Sequence, residues 1–346
     1  MKVAIVGGGW YGCHIASSLH AHGVEVALFE KNGRLFDEAS GNNQFRLHQG
    51  LHYARSASTR YQSRDGYHRF VERYPKLSRT VESNIYLVPK ETSLIDYDTY
   101  FSIMLSSGIN LDKVPLNSID WLNRSAFEGA IRCDERVVLT SSARAHFESR
   151  LDGLVRLHHR VTDLQVRDDK VRIDGEHFDY MIDATWGALS FHATRDQQVF
   201  YEPTLLLYYR QRGGDNVFPA VTLVDGALWS VYPTEDDRMF TLSSVTHTPL
   251  ANCRSKDEAY AVLADVTSDL VARKRALMEK EVQPYMPEFL ERFEFVGPQF
   301  AIKTKPRGLS ENRACGVDVQ GRYIGVQSGK IDNIFFANDR ILGLLL

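Results

Sequence analysis

The sequence is short of cysteine, of net charge and of long apolar runs, and each shortage removes a class of protein. Four cysteines in 346 residues (Cys13, Cys133, Cys253 and Cys315) stand far apart with no C-x-x-C pair. That argues against a disulfide framework, a zinc site or a dithiol redox pair, so no metal is expected. A formal charge of −3 leaves no basic surface to suggest nucleic acid or a membrane face. No apolar run reaches the roughly 20 residues needed to cross a bilayer. The first apolar strand starts at residue 2, which leaves no room for a signal peptide, and a reducing cytoplasm is the expected compartment. There is no internal repeat and no low-complexity segment. The chain is long enough for two lobes and a sizeable core.

What is present begins at once. Lys2–Lys31, KVAIVGGGWYGCHIASSLHAHGVEVALFEK, reads as strand, tight turn, helix, strand. Lys2–Val6 has the unbroken apolar character of a buried parallel strand. Gly7-Gly8-Gly9-Trp10-Tyr11-Gly12 then fits G-x-G-x-x-G. Gly7 permits the turn, Gly9 lets the backbone approach a pyrophosphate, and Gly12 lets helix and strand pack closely. The helix start points free N–H groups and a positive dipole end at phosphates. Glu30, followed by Lys31, closes the second strand near the roughly 20-residue offset of a ribose-binding carboxylate. Triplet, strands, helix and acid in one unit predict a dinucleotide site.

The next stretch decides which dinucleotide. Ala39–Tyr53 is small, polar, amide-rich and basic, with no core periodicity. A nicotinamide enzyme would continue here with another βα unit. The segment resembles the second flavin-contacting motif of the D-amino acid oxidase-like FAD oxidoreductases. Ser40 and Arg46 match the sarcosine-oxidase branch. Asn43, His48, Gly50 and Tyr53 match the L-2-hydroxyglutarate branch.

Further along, Tyr180–Gly187 (YMIDATWG) is similar to the strand and Ala-Thr-Gly turn of that superfamily, with Trp186 inserted before the glycine. The tail, Val326–Asn333 followed by IFFANDRILGLLL, resembles its last motif, a Gly-rich turn opening a final helix. The resemblance implies an α/β fold: a Rossmann-type FAD-binding lobe (1–80, 135–195, 300–346) with an inserted antiparallel β-sheet substrate lobe (81–134, 196–299). It implies non-covalent FAD held by Gly7, Gly9, Gly12, Glu30, Lys31, Ser40, Asn42, Asn43, Arg46, Val161, Ala184, Thr185, Gly187, Gly329, Lys330 and Ile331. Cys315 lies where some relatives tether flavin, but its Arg-Ala-Cys-Gly setting matches poorly.

In the sheet lobe, EPTLLLYYRQR, AVTLVDGALWSVYP and RMFTLSSVTHT read as β-runs. Tyr209, Arg210, Trp229 and Tyr232, with Tyr53, are the candidate substrate wall, an arginine among aromatics being suited to a small acid. For any one of them, core packing is the stronger explanation. Arg307, after Pro306, is the position at which the family grips a substrate carboxylate. His48 and His52 are the candidate catalytic bases, since an imidazole titrates near neutrality. His158 and His159, adjacent on a strand, point to opposite faces and share no metal. Asp257–Val282 is expected as one helical stretch, and Thr140 and Ser141 as N-caps of a helix through Leu151.

The expected partners are a small-molecule substrate and oxygen or another electron acceptor. Oxidation of a small amine or amino acid, the commonest outcome in the superfamily, is the first expectation. Oxidation of a 2-hydroxy acid or sugar alcohol using His48, a tailoring reaction in biosynthesis, and a flavoprotein without turnover are the alternatives.

Overall fold

A computed structural model describes residues 1–189, 199–214, 216–226, 228–307 and 313–346. The N-terminal unit forms as its pattern requires. β1 (Lys2–Val6), α1 (Trp10–Ala21) and β2 (Glu25–Phe29) make a parallel β-α-β unit in which Val3 pairs with Val26. On the other side of β1 lies Tyr180–Asp183, then Tyr323–Gln327 and Gly316–Gln320; beyond β2 lies Val155–Arg156. Only Gly316–Gln320 runs antiparallel to its neighbour in this sheet. Alternation along β1 sends Val3 and Ile5 toward α1 and the helices Thr140–Arg150 and Ile334–Leu345. Ala4 and Val6 face the small meander of Leu164–Val166, Val171–Ile173 and Glu176–Phe178. Helices, parallel sheet and meander therefore form three layers.

A second, eight-stranded sheet runs Phe293–Pro306, Val199–Gln211, Met239–Ser244, Trp229–Pro233, Ala220–Leu223, Asn84–Pro89, Phe127–Cys133, Leu111–Val114. Its neighbours are antiparallel except for the parallel pair Ala220–Leu223 and Asn84–Pro89. One face carries Leu205, Leu207, Val221, Val231 and Leu242 and is covered by the helix Ser268–Val282 through Met278 and Val282. The other face meets a three-stranded ribbon (Arg46–Leu47, Arg136–Val138, Ser78–Thr80), where Phe45, Val81 and Val137 pack on Ala220 and Tyr232. The α/β class, the Rossmann-type lobe and the strand-rich second lobe are as expected. The lobe boundary expected at residue 300 falls inside the strand Phe293–Pro306, which pairs with Val199–Gln211 over its full length.

Three local expectations are corrected. The stretch Asp257–Val282 is two helices, Lys256–Ala264 and Ser268–Val282. They are separate because Thr267 caps the second one, its Oγ1 accepting from the Leu270 N–H at 3.2 Å. Thr140 and Ser141 lie inside their helix, with Leu139 at the cap position. The Ser141 N–H is met instead by Glu235 at 2.9 Å. His158 leaves strand geometry altogether, with φ +56°.

Candidate active site

The glycine turn is packed tightly against neighbouring segments. Gly7 has φ +109°, and a Cβ there would meet the Ala184 carbonyl oxygen at 2.7 Å. Gly9 precedes α1 with no side-chain cap, and a Cβ on it would stand 2.6 Å from Ser40 Oγ. That Oγ accepts the Trp10 N–H at 3.2 Å, so a hydroxyl sits at the open helix end. Glu30 is buried and accepts from the Gly8 N–H at 2.7 Å through Oε2 and the Asn32 N–H at 2.8 Å through Oε1. Thr185 donates its N–H and hydroxyl to Asp183 at 2.8 and 2.6 Å, and the Gly187 carbonyl accepts from the Tyr201 hydroxyl at 2.6 Å. Gly7, Gly9, Glu30, Ser40, Ala184 and Thr185 thus surround one crevice at the C-terminal edge of the parallel sheet, the edge at which open α/β sheets bind ligands.

Asn42 and Asn43 hold the loop beside it. The Asn42 amide donates to the Asp37 and Glu38 carbonyls at 2.8 and 3.0 Å, and the Asn43 amide to those of Ala39 and Ser40 at 2.9 and 3.2 Å. Val161 packs on the meander side of the sheet, and Ile331 against the helix-side core. Lys31 reaches Glu38 at 2.5 Å and Tyr260 at 2.6 Å.

A second cluster stands near the final helix. His48 is 12% exposed; its Nδ1 accepts from the Gly50 N–H at 3.1 Å, and its Nε2 lies 3.0 Å from Lys330 Nζ. Lys330 Nζ stands 4.0 Å over the Tyr53 ring, and the Tyr11 hydroxyl ties down the Lys330 carbonyl at 2.5 Å. Asp332, buried, lies 3.6 Å from His48 Nδ1, and burial raises its carboxyl. Burial first, then Lys330, His52 and Arg46, push the His48 imidazole well below its ordinary range, so it is neutral at pH 7.

Arg46, expected from the motif to contact the flavin, lies in a buried network. Nε meets Glu135 at 2.7 Å, Nη1 meets Thr222 at 2.7 Å and His52 Nε2 at 3.2 Å, and Nη2 meets Tyr86 at 2.9 Å and Asn84 at 3.4 Å. Every guanidinium donor has a partner. His52 is enlisted in the same network. Its Nε2 accepts from Arg46, and its Nδ1 reaches the Tyr86 hydroxyl at 3.3 Å, which in turn donates to Glu135 at 2.7 Å. Both ring nitrogens are occupied, so His52 has no lone pair free for a substrate proton. Tyr232 stacks under Arg46 at 4.2 Å, and its hydroxyl meets the Arg136 carbonyl at 3.2 Å.

The rest of the expected substrate wall is elsewhere. Tyr209 and Trp229 lie in the core on the far face of the large sheet, Tyr209 donating to Glu279 at 2.8 Å. Arg210 is exposed, 3.7 Å from Asp236. Arg307 is exposed, its Nε donating to the Val199 carbonyl at 2.8 Å. The side facing the ribbon is shown by Tyr208, whose hydroxyl meets Gln299 at 2.5 Å; Gln299 then donates to the Asn43 carbonyl at 3.2 Å.

Lys303, four residues on from Gln299 and so on the same strand face, has no side-chain hydrogen bond and no ion pair among the described residues. Burial, then Lys305, with Arg313 and Lys330 adding to it, lowers its amine to about 8. Glu202, the carboxylate paired across from it, is engaged by Lys305 at 2.6 Å. Sequence reasoning missed Lys303, Glu135 and Asp332; only Asp332 carried a signal, two positions after Lys330 in the tail motif.

Residues 2–306 match the family model described as DAO, FAD dependent oxidoreductase. The chain belongs to this family. It is 53% identical over 344 residues to the FAD-dependent monooxygenase FPY4 of Fusarium mangiferae, covering 99% of this chain and 91% of that protein. The L-alpha-glycerophosphate oxidase of Mycoplasma pneumoniae, solved with FAD bound, is similar in fold with a TM-score of 0.78 at 14% identity, covering 99% of this chain and 94% of that one. The glycine oxidase of Geobacillus kaustophilus gives 0.68 at 17%, covering 99% and 93%. The cofactor of this DAO-family oxidoreductase is FAD, and the crevice fits it: a turn that no Cβ can occupy, an open helix end and a buried carboxylate at the close of β2. Among the described residues no cluster suits a metal ion, and no helix is long and apolar enough to cross a membrane.

Proposed function

We propose that this oxidoreductase oxidises a small amine or amino acid that reacts as the neutral amine. The observation that carries the reading is Lys303. It is an amine on the strand face from which Gln299 reaches Asn43, and its surroundings lower it to about 8. A substrate ammonium meets the same desolvation and the same cations, Lys330 and Arg313, and loses its proton more readily than in water. No dedicated base is then required. The neutral His48 has one lone pair, with the Gly50 N–H at Nδ1 and Lys330 Nζ at Nε2, and His52 is bound into the Arg46 network. Bound FAD supplies a hydride acceptor for the carbon next to nitrogen and passes the electrons on to oxygen or another acceptor. Lys303, Lys330 and Arg313 would hold a carboxylate, the role first expected of Arg307. Retention without a covalent tether is supported at Cys315, whose thiol is pushed up to about 12 by burial and is a poor nucleophile at neutral pH.

Lys303→Met tests the reading in steady-state kinetics. It should raise KM for an amino acid at least about tenfold, the size of one charge-assisted contact, with a smaller change for the matching amine without a carboxylate. An unchanged KM for the acid removes Lys303 from the site.

The 53%-identical relative, named as a monooxygenase, favours a second reading, in which an oxygen atom from O2 enters the product. Turnover under isotopically heavy oxygen separates the two. Label in the organic product supports monooxygenation, and label only in peroxide or water supports the oxidase reading.

A further inference from the structure

The helix Lys256–Ala264 is rooted in the large sheet, where Ala259 packs with Tyr201, Cys253 and Ile302. Its side chains reach the other lobe at two points. Lys256 Nζ donates to the Thr185 carbonyl at 2.9 Å. One turn on, the Tyr260 hydroxyl accepts from Lys31 at 2.6 Å and donates to Glu38 Oε1 at 2.8 Å, while Lys31 and Glu38 pair at 2.5 Å. Thr185 follows the strand on one side of β1, and Lys31 follows β2 on the other. The helix therefore spans the crevice at the carboxyl edge of β1, directly across the glycine turn.

Lys256 is under-used where it stands. The bond to Thr185 is the single hydrogen bond of its side chain among the described residues, and it has no ion pair there. Three carboxylates act on it, and each is engaged elsewhere. Glu38 holds Lys31; Glu30 holds the Gly8 and Asn32 N–H groups; Asp183 holds Thr185 and accepts from the Tyr323 hydroxyl at 2.6 Å. Desolvation lowers its ammonium to about 8, as for a cation still wanting an anion.

We propose that Lys256 is a cofactor-binding residue contributed by the sheet lobe, donating to the phosphates of the adenosine diphosphate half of FAD, with Tyr260, Lys31 and Glu38 latching its helix across that half. The inference rests on the FAD assignment and adds to it a contact outside the β-α-β unit.

The test is calorimetry of the cofactor-free protein with ADP and, separately, adenosine, together with FAD affinity from flavin fluorescence. Lys256→Gln keeps a donor for Thr185 and loses the charge. It should weaken ADP and FAD at least about tenfold and leave adenosine nearly unchanged, with Lys256→Arg restoring most of the loss. Tyr260→Phe should speed FAD release without altering the salt dependence of ADP binding. If Lys256→Gln weakens adenosine as much as ADP, Lys256 only shapes the Thr185 turn and the proposal is wrong. If ADP binds wild type and Lys256→Gln equally, it is also wrong, while the FAD assignment stands. If wild type binds neither FAD nor ADP, the assignment falls and takes the proposal with it.

Discussion

Trp186 lies flat against Gly329: a Cβ built on Gly329 would stand 2.0 Å from Cζ2 of the indole. The two residues belong to the turn after Tyr180–Asp183 and to the turn before the final helix, so the contact joins two segments that flank the crevice. It also explains the inserted tryptophan. Trp186 sits at φ +54°, turning its ring back onto a position that only glycine leaves open.

Gly329→Ala should therefore cost about 1–3 kcal/mol by overpacking. Trp186→Ala should remove most of that penalty, so the double variant should show a coupling of at least about 1 kcal/mol. Urea unfolding of the four proteins measures it. Additive effects would mean the ring moves aside freely.

We propose that the Arg46–Glu135 pair is a structural keystone and not a cofactor contact. Both side chains are buried, and Glu135→Gln leaves the guanidinium uncompensated. The expected loss is about 3–5 kcal/mol in denaturant unfolding. The bound-flavin spectrum of the surviving folded fraction should be unchanged. A well-folded variant with weakened FAD binding would return Arg46 to the cofactor site.

His48 and His52 are neutral well below pH 6.5, so neither contributes a limb to the pH–rate profile near neutrality. The profile of kcat/KM for an amine should instead rise with pH as the substrate loses its proton. His48→Ala should reduce kcat less than about tenfold, below the roughly 100-fold or greater loss expected of a general base. A larger collapse, with a limb appearing near 6.5, would indicate alcohol chemistry at His48.

His14 predicts an acid weakness in the helix layer. Burial, then Arg73 and Arg69, lower it to about 3, while the unfolded imidazole has its ordinary value near 6.5. Between those values the unfolded chain binds the extra proton. The stability from this group is present above about 6.5 and is lost as pH falls toward 3, by up to about 1.4 kcal/mol per unit. His14→Gln, which still offers Tyr74 a partner, should flatten the fall in urea midpoint between about pH 6.5 and 4.5. Parallel curves for wild type and variant would contradict this.

The dinucleotide crevice was legible in the sequence because its parts are local. Glycines, helix start and Glu30 fall within one β-α-β unit, and their spacing is dictated by backbone geometry. The sheet lobe was legible as strands but not as faces. Tyr208 and Tyr209 are adjacent, and only the register with Thr241 and Phe240 decides that Tyr208 faces inward and Tyr209 the core. The ion pair of Arg46 was hidden in the sequence because its partner, Glu135, lies 89 residues away and no periodicity connects them. Lys256 and Lys303 gave no signal for the same reason: each becomes notable only through what the fold leaves unpaired around it.

The measurement that bears most directly on the central claim is the visible spectrum of the purified protein, followed without oxygen as single donors are added. The account predicts a yellow protein whose flavin band is bleached by an amine or amino acid, faster at higher pH, and by wild type and His48→Ala alike. A protein that stays colourless with added FAD, or one bleached only by hydroxy acids and only when His48 is intact, would contradict it.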